Sequence, residues 1–262
     1  HGRLTLPQAR LATEAHRAPG AWLAAVEARG EGDSEYTDPV EFFRRTFLTA
    51  GLKDLIQRAV SRLSGDRNAS PVINLQTNFG GGKTHSMLAL WHLASGRPLT
   101  DYPQDVQDLL VGRQLPDSAK RVALVGNHLQ AGQQNRMPDG TLVNTMWGVL
   151  AWQLGGSEGY AIVADSDRNR TNPGDSLRVL FEKFGPAVIL IDEWIAYARQ
   201  LAARDDLPGG SFDTQFSFAQ ALTECAKAVP GILVVISIPA SAEAQDGEYV
   251  TNEEEVGGEY GK

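Results

Sequence analysis

The chain has 262 residues, of which 42% are hydrophobic and 21% are charged, a composition typical of a globular protein with one large or two small domains. Its formal net charge of −8 excludes a general electrostatic attraction to nucleic acid or to an anionic membrane. The single cysteine, Cys225, excludes a disulfide within the chain, and no stretch approaches the roughly 18 consecutive apolar residues of a membrane span. We therefore expect a cytoplasmic protein in which Cys225 is a small buried group.

The N-terminal part of the chain divides into two segments. Residues 1–35 contain one or two short helical patterns of unclear role, and we treat residues 36–262 as the main domain. Within it, residues 39–63 have apolar side chains near helical spacing, which predicts a helix with a break at Gly51.

A glycine-rich motif follows the first predicted strand, residues 72–76. The next eight residues read T-N-F-G-G-G-K-T and lead into an apolar helix that is predicted to end near Ala94. The motif is typical of a phosphate-binding loop, in which glycine N–H groups surround phosphate oxygens, Lys83 reaches the β- and γ-phosphates, and Thr84 coordinates Mg²⁺. The consensus has glycine where this chain has Thr77, so a glycine-rich turn that binds nothing is the alternative.

ATP and Mg²⁺ are the ligands that this motif predicts. The candidate nucleotide-binding residues are Asn78, Phe79, Gly80, Gly81, Gly82, Lys83, Thr84 and His85. We interpret His85 as a helix residue close to the phosphates rather than as a catalytic group.

The rest of the main domain alternates apolar strands with helices. Strands are predicted at residues 121–126, 187–191 and 231–237, and helices at residues 142–154, 173–184, 194–203 and 212–228. Gly155 and Gly156 are expected to end the first of these helices, and its Trp147 and Trp152 are interpreted as core residues rather than a functional pair. The alternation predicts an α/β fold, a parallel sheet with helices on both faces.

Two carboxylates follow the apolar run of residues 187–191. Ligands of open α/β sheets bind beyond the carboxyl ends of the strands, so Asp192 and Glu193 are expected near the phosphate-binding loop. Asp192 is then the second residue, after Thr84, that binds Mg²⁺. Glu193 is a general base that polarises the attacking water. The alternative is that the pair only caps the helix that follows, and both interpretations can hold at once.

Ser237 ends the last predicted strand. In the branch of P-loop ATPases with an additional strand between the loop strand and the Asp-Glu strand, a polar residue at the tip of that strand orients the attacking water. Ser237 is at the corresponding position, so we assign it this catalytic role beside Lys83 and Glu193. A hydroxyl that merely caps the strand is the alternative.

Several segments together resemble a family of large prokaryotic ATPases of the AAA+ type. They are residues 76–85, 139–141 with 146–148, 152–156, 190–193 with 196–199, 207–212 and 218–223. The resemblance covers roughly residues 36–262. It implies gene neighbourhoods with DNA methyltransferases, helicases and nucleases, and hence a role in anti-phage defence.

The same resemblance implies parts that this sequence does not supply. AAA+ ATPases use a C-terminal helical lid and an arginine from a neighbouring subunit, whereas this chain stops at Lys262 before a lid. We therefore expect the isolated fragment to be a weakly active ATPase. Residues 103–118 and 165–174 are interpreted as insertions into the minimal core.

Adenine recognition is implied for the segment before the first strand. The candidates are Phe42, Phe43, Arg44, Arg45, Thr46, Phe47 and Gly51. A helix that buries Phe42, Phe43 and Phe47 in the core is the alternative, and the spacing favours it.

Three functions remain open at this point. The first is an ATP hydrolase that works as a motor or switch, in a homo-oligomer or with defence-complex partners and with DNA as one candidate substrate. The second is a scaffold protein whose assembly is controlled by bound nucleotide and which hydrolyses little of it. The third is a small-molecule kinase, which Glu193 disfavours because a base at the γ-phosphate makes water the acceptor. A GTPase is disfavoured because the chain has no Asn-Lys-x-Asp run to bind guanine.

Overall fold

The computed structural model describes residues 37–77, 82–116 and 119–239. In this part of the chain, the strands are β1 Val72–Thr77, β2 Lys120–Val125, β3 Asn135–Arg136, β4 Leu142–Val143, β5 Ala187–Asp192 and β6 Ile232–Pro239. The helices are α1 Pro39–Arg45, α2 Ala50–Leu63, α3 Lys83–Leu93, α4 Gln104–Leu109, α5 Met146–Asn169, α6 Ser176–Phe184, α7 Trp194–Gln200 and α8 Phe212–Ala228, with a short 3₁₀ turn at Leu99–Asp101. The helices predicted within residues 1–35 lie outside the described residues.

Four of the strands form a parallel sheet in the order β1-β6-β5-β2. All six residues of β5 are buried, as expected for an inner parallel strand that is covered on both faces. Strand β6 comes last along the chain but lies between β1 and β5, which confirms the additional strand that the sequence predicts. β3 and β4 form a separate antiparallel pair.

Helices cover both faces of the sheet, and each face has its own apolar core. Because side chains alternate along a strand, Val188 and Leu190 of β5 point to one face and Ile189 and Ile191 to the other. In the first core, Val188 and Leu190 pack with helices α1 to α4. In the second core, Ile189 and Ile191 pack with helices α5 to α8. The predicted α/β architecture is therefore confirmed.

The helix predicted to end at Gly155 and Gly156 does end there, and a second helical segment follows it. Both glycines have non-helical backbone angles, so α5 consists of two segments that meet at a kink, and the second ends at Asn169. The ring of Phe184 occupies the space beside Gly155, where an added Cβ would lie only 2.4 Å from the ring. Gly155 therefore makes room for Phe184 of α6, and Gly156 adopts the positive φ of 60° at the kink that ends the first segment.

The break in the first predicted helix is displaced. It falls between α1 and α2, at residues 46–49, and not at Gly51, which lies within α2. Thr49 caps α2 through its hydroxyl, which accepts a hydrogen bond of 3.2 Å from the Leu52 N–H. The linker also brings Phe47 to the surface with 48% of its area exposed, so the interpretation of Phe47 as a core residue is wrong.

Two other predicted core positions are confirmed, and one is wrong. Cys225 and Trp147 are buried, whereas Trp152 is half-buried outside both apolar cores and donates a hydrogen bond to Asp139. In the segment interpreted as an insertion, residues 104–109 form α4, and Val106 is fully buried in the first core. Among the described helices, none combines the length and the apolar character needed to cross a bilayer.

A buried arginine connects α2 to the second half of the domain. The Arg62 guanidinium donates hydrogen bonds to the carbonyl oxygens of Ala226, Val229 and Ile232, at 2.6 to 2.9 Å. Burial lowers the pKa of this guanidinium. Two of the three carbonyls are at the C-terminal end of α8, where the helix dipole favours a cation.

We expect Arg62→Met to lower the free energy of unfolding by about 3 kcal/mol, because buried carbonyl oxygens lose charged donors. Urea denaturation measures the change. Arg58→Met on the same helix is the matched control, since Arg58 forms an exposed pair with Asp54 and should cost less than about 1 kcal/mol. Equal stability of the two variants would contradict this account of Arg62.

Candidate functional site

The carboxyl ends of three adjacent strands bring predicted site residues to one edge of the sheet. Ser237 of β6 pairs with Leu75, two residues before the end of β1. Ile191 of β5 pairs with Ile236, so Asp192 and Ser237 follow at the next position of these neighbouring strands. Sequence positions 192 and 237 are thus adjacent in the sheet.

Helix α3 begins at the same edge, directly after the glycine-rich motif. Gly82 is its N-cap residue, with a left-handed backbone (φ 77°) that glycine adopts readily, and no side chain caps the first turn. Lys83 and Thr84 are the first two helical residues, so they lie beside the free N–H groups and the positive end of the helix dipole. Asn78, Phe79, Gly80 and Gly81 lie outside the described residues.

Asp192 and Ser237 share the face of the sheet on which α3 packs. Strand alternation places Asp192 with Val188 and Leu190, and Ser237 with Leu233 and Val235, on the face of the first core. Helix α3 contacts both β1 and β5 on that face. Both polar side chains are largely buried, with 6% and 5% of their area exposed. The helix that begins with Lys83 therefore lies over the strand that ends with Asp192.

Glu193 occupies the N-cap position of α7 but does not cap it in the usual way. N-cap residues usually have extended backbones, whereas Glu193 is left-handed at φ 55° and ψ 33°, and its side chain makes no capping hydrogen bond. A non-glycine residue in this region is held at a cost on the order of 1 kcal/mol. The Asp192 carboxylate accepts a 3.1 Å hydrogen bond from the Glu193 N–H. The capping interpretation thus fits Glu193 only by its position.

A glycine that the sequence analysis did not assign to the site packs against Glu193. Gly126 follows β2, and its N–H donates a 2.9 Å hydrogen bond to the Asp192 carbonyl oxygen. A Cβ at Gly126 would lie 1.9 Å from the carbonyl oxygen of Glu193. Only glycine therefore fits here, and the requirement depends on packing between strands that are far apart in sequence.

His85 lies one residue beyond Thr84 and contacts the α1–α2 linker. Its ring packs on Phe42 at a centroid distance of 4.7 Å, and its Nε2 is 3.1 Å from the Thr46 hydroxyl. That hydroxyl donates its single proton to the Phe42 carbonyl oxygen at 2.7 Å, so the His85 Nε2 must be the donor in the other contact. Burial lowers the pKa of His85 to about 4. His85 is therefore neutral at pH 7 and part of the packing.

The adenine candidates divide into core and surface residues. Phe42 and Phe43 are fully buried, which supports the core interpretation for these two. Arg44 pairs with Glu41 in the same helix. Thr46 is buried against His85, and only Phe47 has a large exposed apolar area.

A second buried carboxylate, Asp167, was not predicted. It accepts hydrogen bonds from the Asn144 and Thr145 N–H groups, the Thr145 hydroxyl and the Tyr160 hydroxyl, at 2.6 to 3.2 Å. Burial, with the hydrogen bond to Asp167, raises the pKa of Tyr160 to about 12. These donors satisfy the carboxylate. Asp167 lies near the C-terminal end of α5, and it connects that end to Asn144 and Thr145, directly before the start of the helix.

The described residues contain no group of three His, Cys, Asp or Glu side chains that could hold a metal ion by themselves. Mg²⁺ rarely uses such a group, because it retains several waters and binds through one or two protein oxygens together with substrate phosphates. Thr84 and Asp192 offer a hydroxyl and a carboxylate of the required kind. The residues present thus fit Mg²⁺ only together with a bound phosphate ligand.

A family model described as DUF499 N-terminal domain matches residues 23–256. The chain belongs to this family. The match includes Lys83, Thr84, Asp192, Glu193 and Ser237, so the site lies wholly within the DUF499 N-terminal domain. No curated protein and no solved structure matches the chain.

Proposed function

We propose that this chain is the ATP-binding and ATP-hydrolysing module of a larger ATPase of the AAA+ type, built on a P-loop core with an additional strand. One observation carries the proposal: Asp192, which ends β5, lies beside Ser237 near the end of the adjacent β6, on the face that is covered by the helix starting at Lys83. The sequence motif supplies the phosphate-binding residues, and the strand order β1-β6-β5-β2 supplies the arrangement around them.

In the proposed site each residue has one task. The N–H groups at the start of α3 bind phosphate oxygens, and the Lys83 ammonium binds the β- and γ-phosphates. Thr84 and Asp192 hold Mg²⁺, which neutralises phosphate charge when it is bound. Glu193 takes a proton from the attacking water, and Ser237 orients that water. His85 positions the linker and does not act in the chemistry.

The alternative function is a scaffold whose assembly is controlled by bound nucleotide and which hydrolyses little of it. It uses the same ATP site and differs in whether Glu193 activates a water molecule. The uncommon backbone conformation of Glu193 supports a functional role for this residue in either case. Phosphate release from ATP, measured under single-turnover conditions, decides between them.

The resemblance to AAA+ ATPases also supports a role as motor or switch in an anti-phage DNA defence system. The proposed partners of the larger protein are further copies of itself or other defence proteins. DNA is a candidate substrate, and the net charge of −8 requires that any contact with it be local. Turnover of the larger protein with and without DNA tests this part of the proposal.

We expect Asp192→Asn to bind ATP without the dependence on Mg²⁺ that the wild type shows. The wild type should bind ATP more tightly with Mg²⁺ than with a chelator, because Asp192 contacts the ion that bridges the phosphates. In the variant the two affinities should differ by less than about threefold, since the charged contact that couples them is gone. Calorimetric titration with and without EDTA measures this.

Asp205→Asn is the matched control, because Asp205 is exposed in the loop after α7. It should retain the wild-type response to Mg²⁺. A full Mg²⁺ response in Asp192→Asn would remove Asp192 from the proposed metal site.

A further inference from the structure

The loop after β2 is fastened to the segment that contains Glu193 at several points. The Gly126 N–H donates to the Asp192 carbonyl oxygen at 2.9 Å. The Gly126 carbonyl accepts a 3.3 Å hydrogen bond from the Gln200 side chain, which lies almost two turns farther along α7. The same Gln200 amide also accepts from Ala131 and donates to Leu129, at 3.0 and 3.1 Å. These bonds hold the loop against both ends of α7.

The closest approach in this arrangement is between the backbones of Gly126 and Glu193. A Cβ at position 126 would lie 1.9 Å from the Glu193 carbonyl oxygen, 2.7 Å from its carbonyl carbon and 3.1 Å from the Cβ of Tyr197. The obstacle is backbone, which cannot rotate away as the end of a flexible side chain can. Any side chain at position 126 must therefore displace the Glu193 peptide.

We propose that Gly126 is a positioning residue for Glu193: its missing side chain provides the space in which the Glu193 backbone adopts the left-handed conformation that directs the carboxylate. The inference rests on the proposed function, since it assigns Gly126 to the step in which Glu193 activates water. In this role Gly126 acts through Glu193 alone. Gln200 supports this arrangement by fastening the loop to α7.

The expected consequence is a loss of turnover without a loss of nucleotide affinity. Displacing a catalytic group by about 1 Å can cost on the order of 10²-fold in rate. We expect Gly126→Ala to lower the single-turnover rate of ATP hydrolysis by about that factor. The dissociation constant for ATP should stay within about threefold of the wild type, since that affinity comes from phosphate contacts at the start of α3.

Gly132→Ala is the matched control, because Gly132 lies in the same loop with no atom within 4 Å of an added Cβ. It should hydrolyse ATP at the wild-type rate. Gln200→Ala is a second test variant: it removes three side-chain hydrogen bonds without adding bulk, and it should fold and also lose turnover.

A double-mutant cycle separates positioning from general damage. If Gly126 acts through Glu193, the substitution Gly126→Ala should slow the Glu193→Gln variant by less than about threefold, although it slows the wild type about 10²-fold. Hydrogen exchange should be faster at residues 192–197 in Gly126→Ala than in Gly132→Ala and equal at residues 84–90. Equal losses of rate in both backgrounds, or unchanged exchange at residues 192–197, would overturn the inference.

The inference and the function on which it rests fail in different ways. If the folded wild-type chain releases no phosphate from ATP, the proposed hydrolysis is wrong, and so is the role of Gly126 in it. A wild type that hydrolyses ATP, with Gly126→Ala or Gln200→Ala at the same rate, overturns the role of Gly126 alone.

Discussion

Lys83→Ala should weaken ATP binding by about 100-fold, since it removes a charged donor to the phosphates in a partly buried site. Lys83 is the first residue of α3, directly after the left-handed Gly82. The backbone N–H groups of the helix remain in the variant, so residual binding is expected at high ATP concentration. Calorimetric titration of the full chain with ATP and Mg²⁺ measures the change.

Lys53→Ala is the control, because Lys53 is an exposed lysine on α2. It should bind ATP as the wild type does, and both variants should unfold at the wild-type temperature. Unchanged affinity in a folded Lys83→Ala variant would remove the phosphate site from the start of α3.

Glu193→Gln should retain ATP binding and slow hydrolysis by roughly 10²-fold or more, the usual scale for loss of a general base. Glutamine has nearly the same shape and keeps the oxygen, but it cannot take a proton from water. The left-handed backbone at position 193 should be retained, since Gly126 still provides the space. Single-turnover hydrolysis with excess enzyme measures the rate even where the isolated domain is slow.

The control for this variant is Glu224→Gln. Glu224 lies on the exposed side of α8, where it accepts a hydrogen bond from Gln220. Its hydrolysis rate should equal that of the wild type. Wild-type hydrolysis in Glu193→Gln would mean that Glu193 has a structural role only, and that another group activates the water.

The sheet could be predicted from the sequence because each inner strand is a continuous apolar run. Residues 187–191 and 231–236 have this character, and parallel strands buried on both faces require it. The place of β6 between β1 and β5 followed from the resemblance to P-loop ATPases with an additional strand rather than from periodicity. The edge at which Asp192 and Ser237 meet could thus be predicted before any distance was known.

The errors in the fold arose where packing between distant segments decides the local structure. Nothing in the pattern of residues 46–51 shows that Thr46 contacts His85, or that Thr49 rather than a later residue caps α2. The glycines at positions 155 and 156 mark the end of a helical segment as predicted, but the sequence did not predict the second segment, which packs Asp167 against Thr145. Local propensity is a weak guide at such positions, because tertiary contacts override it.

The positioning residues of the candidate site could not be predicted for the same reason. Gly126 and Glu193 are 67 positions apart (193 − 126) and meet only because β2 and β5 are neighbours in the sheet. Arg62 contacts carbonyl groups more than 160 positions away. A motif identifies groups that contact a ligand, whereas the residues that hold those groups in place are visible only in the folded chain.

Hydrogen exchange of the full chain, with and without ATP and Mg²⁺, is the most direct test of where the nucleotide binds. The proposed site predicts slower exchange of backbone amides at residues 82–86 and 192–194, because the first N–H groups of α3 bind phosphate and Asp192 binds the metal. The same measurement on Lys83→Ala should show much weaker protection at equal ATP concentration. Unchanged exchange at residues 82–86, together with protection elsewhere in the chain, would contradict a nucleotide site at the start of α3.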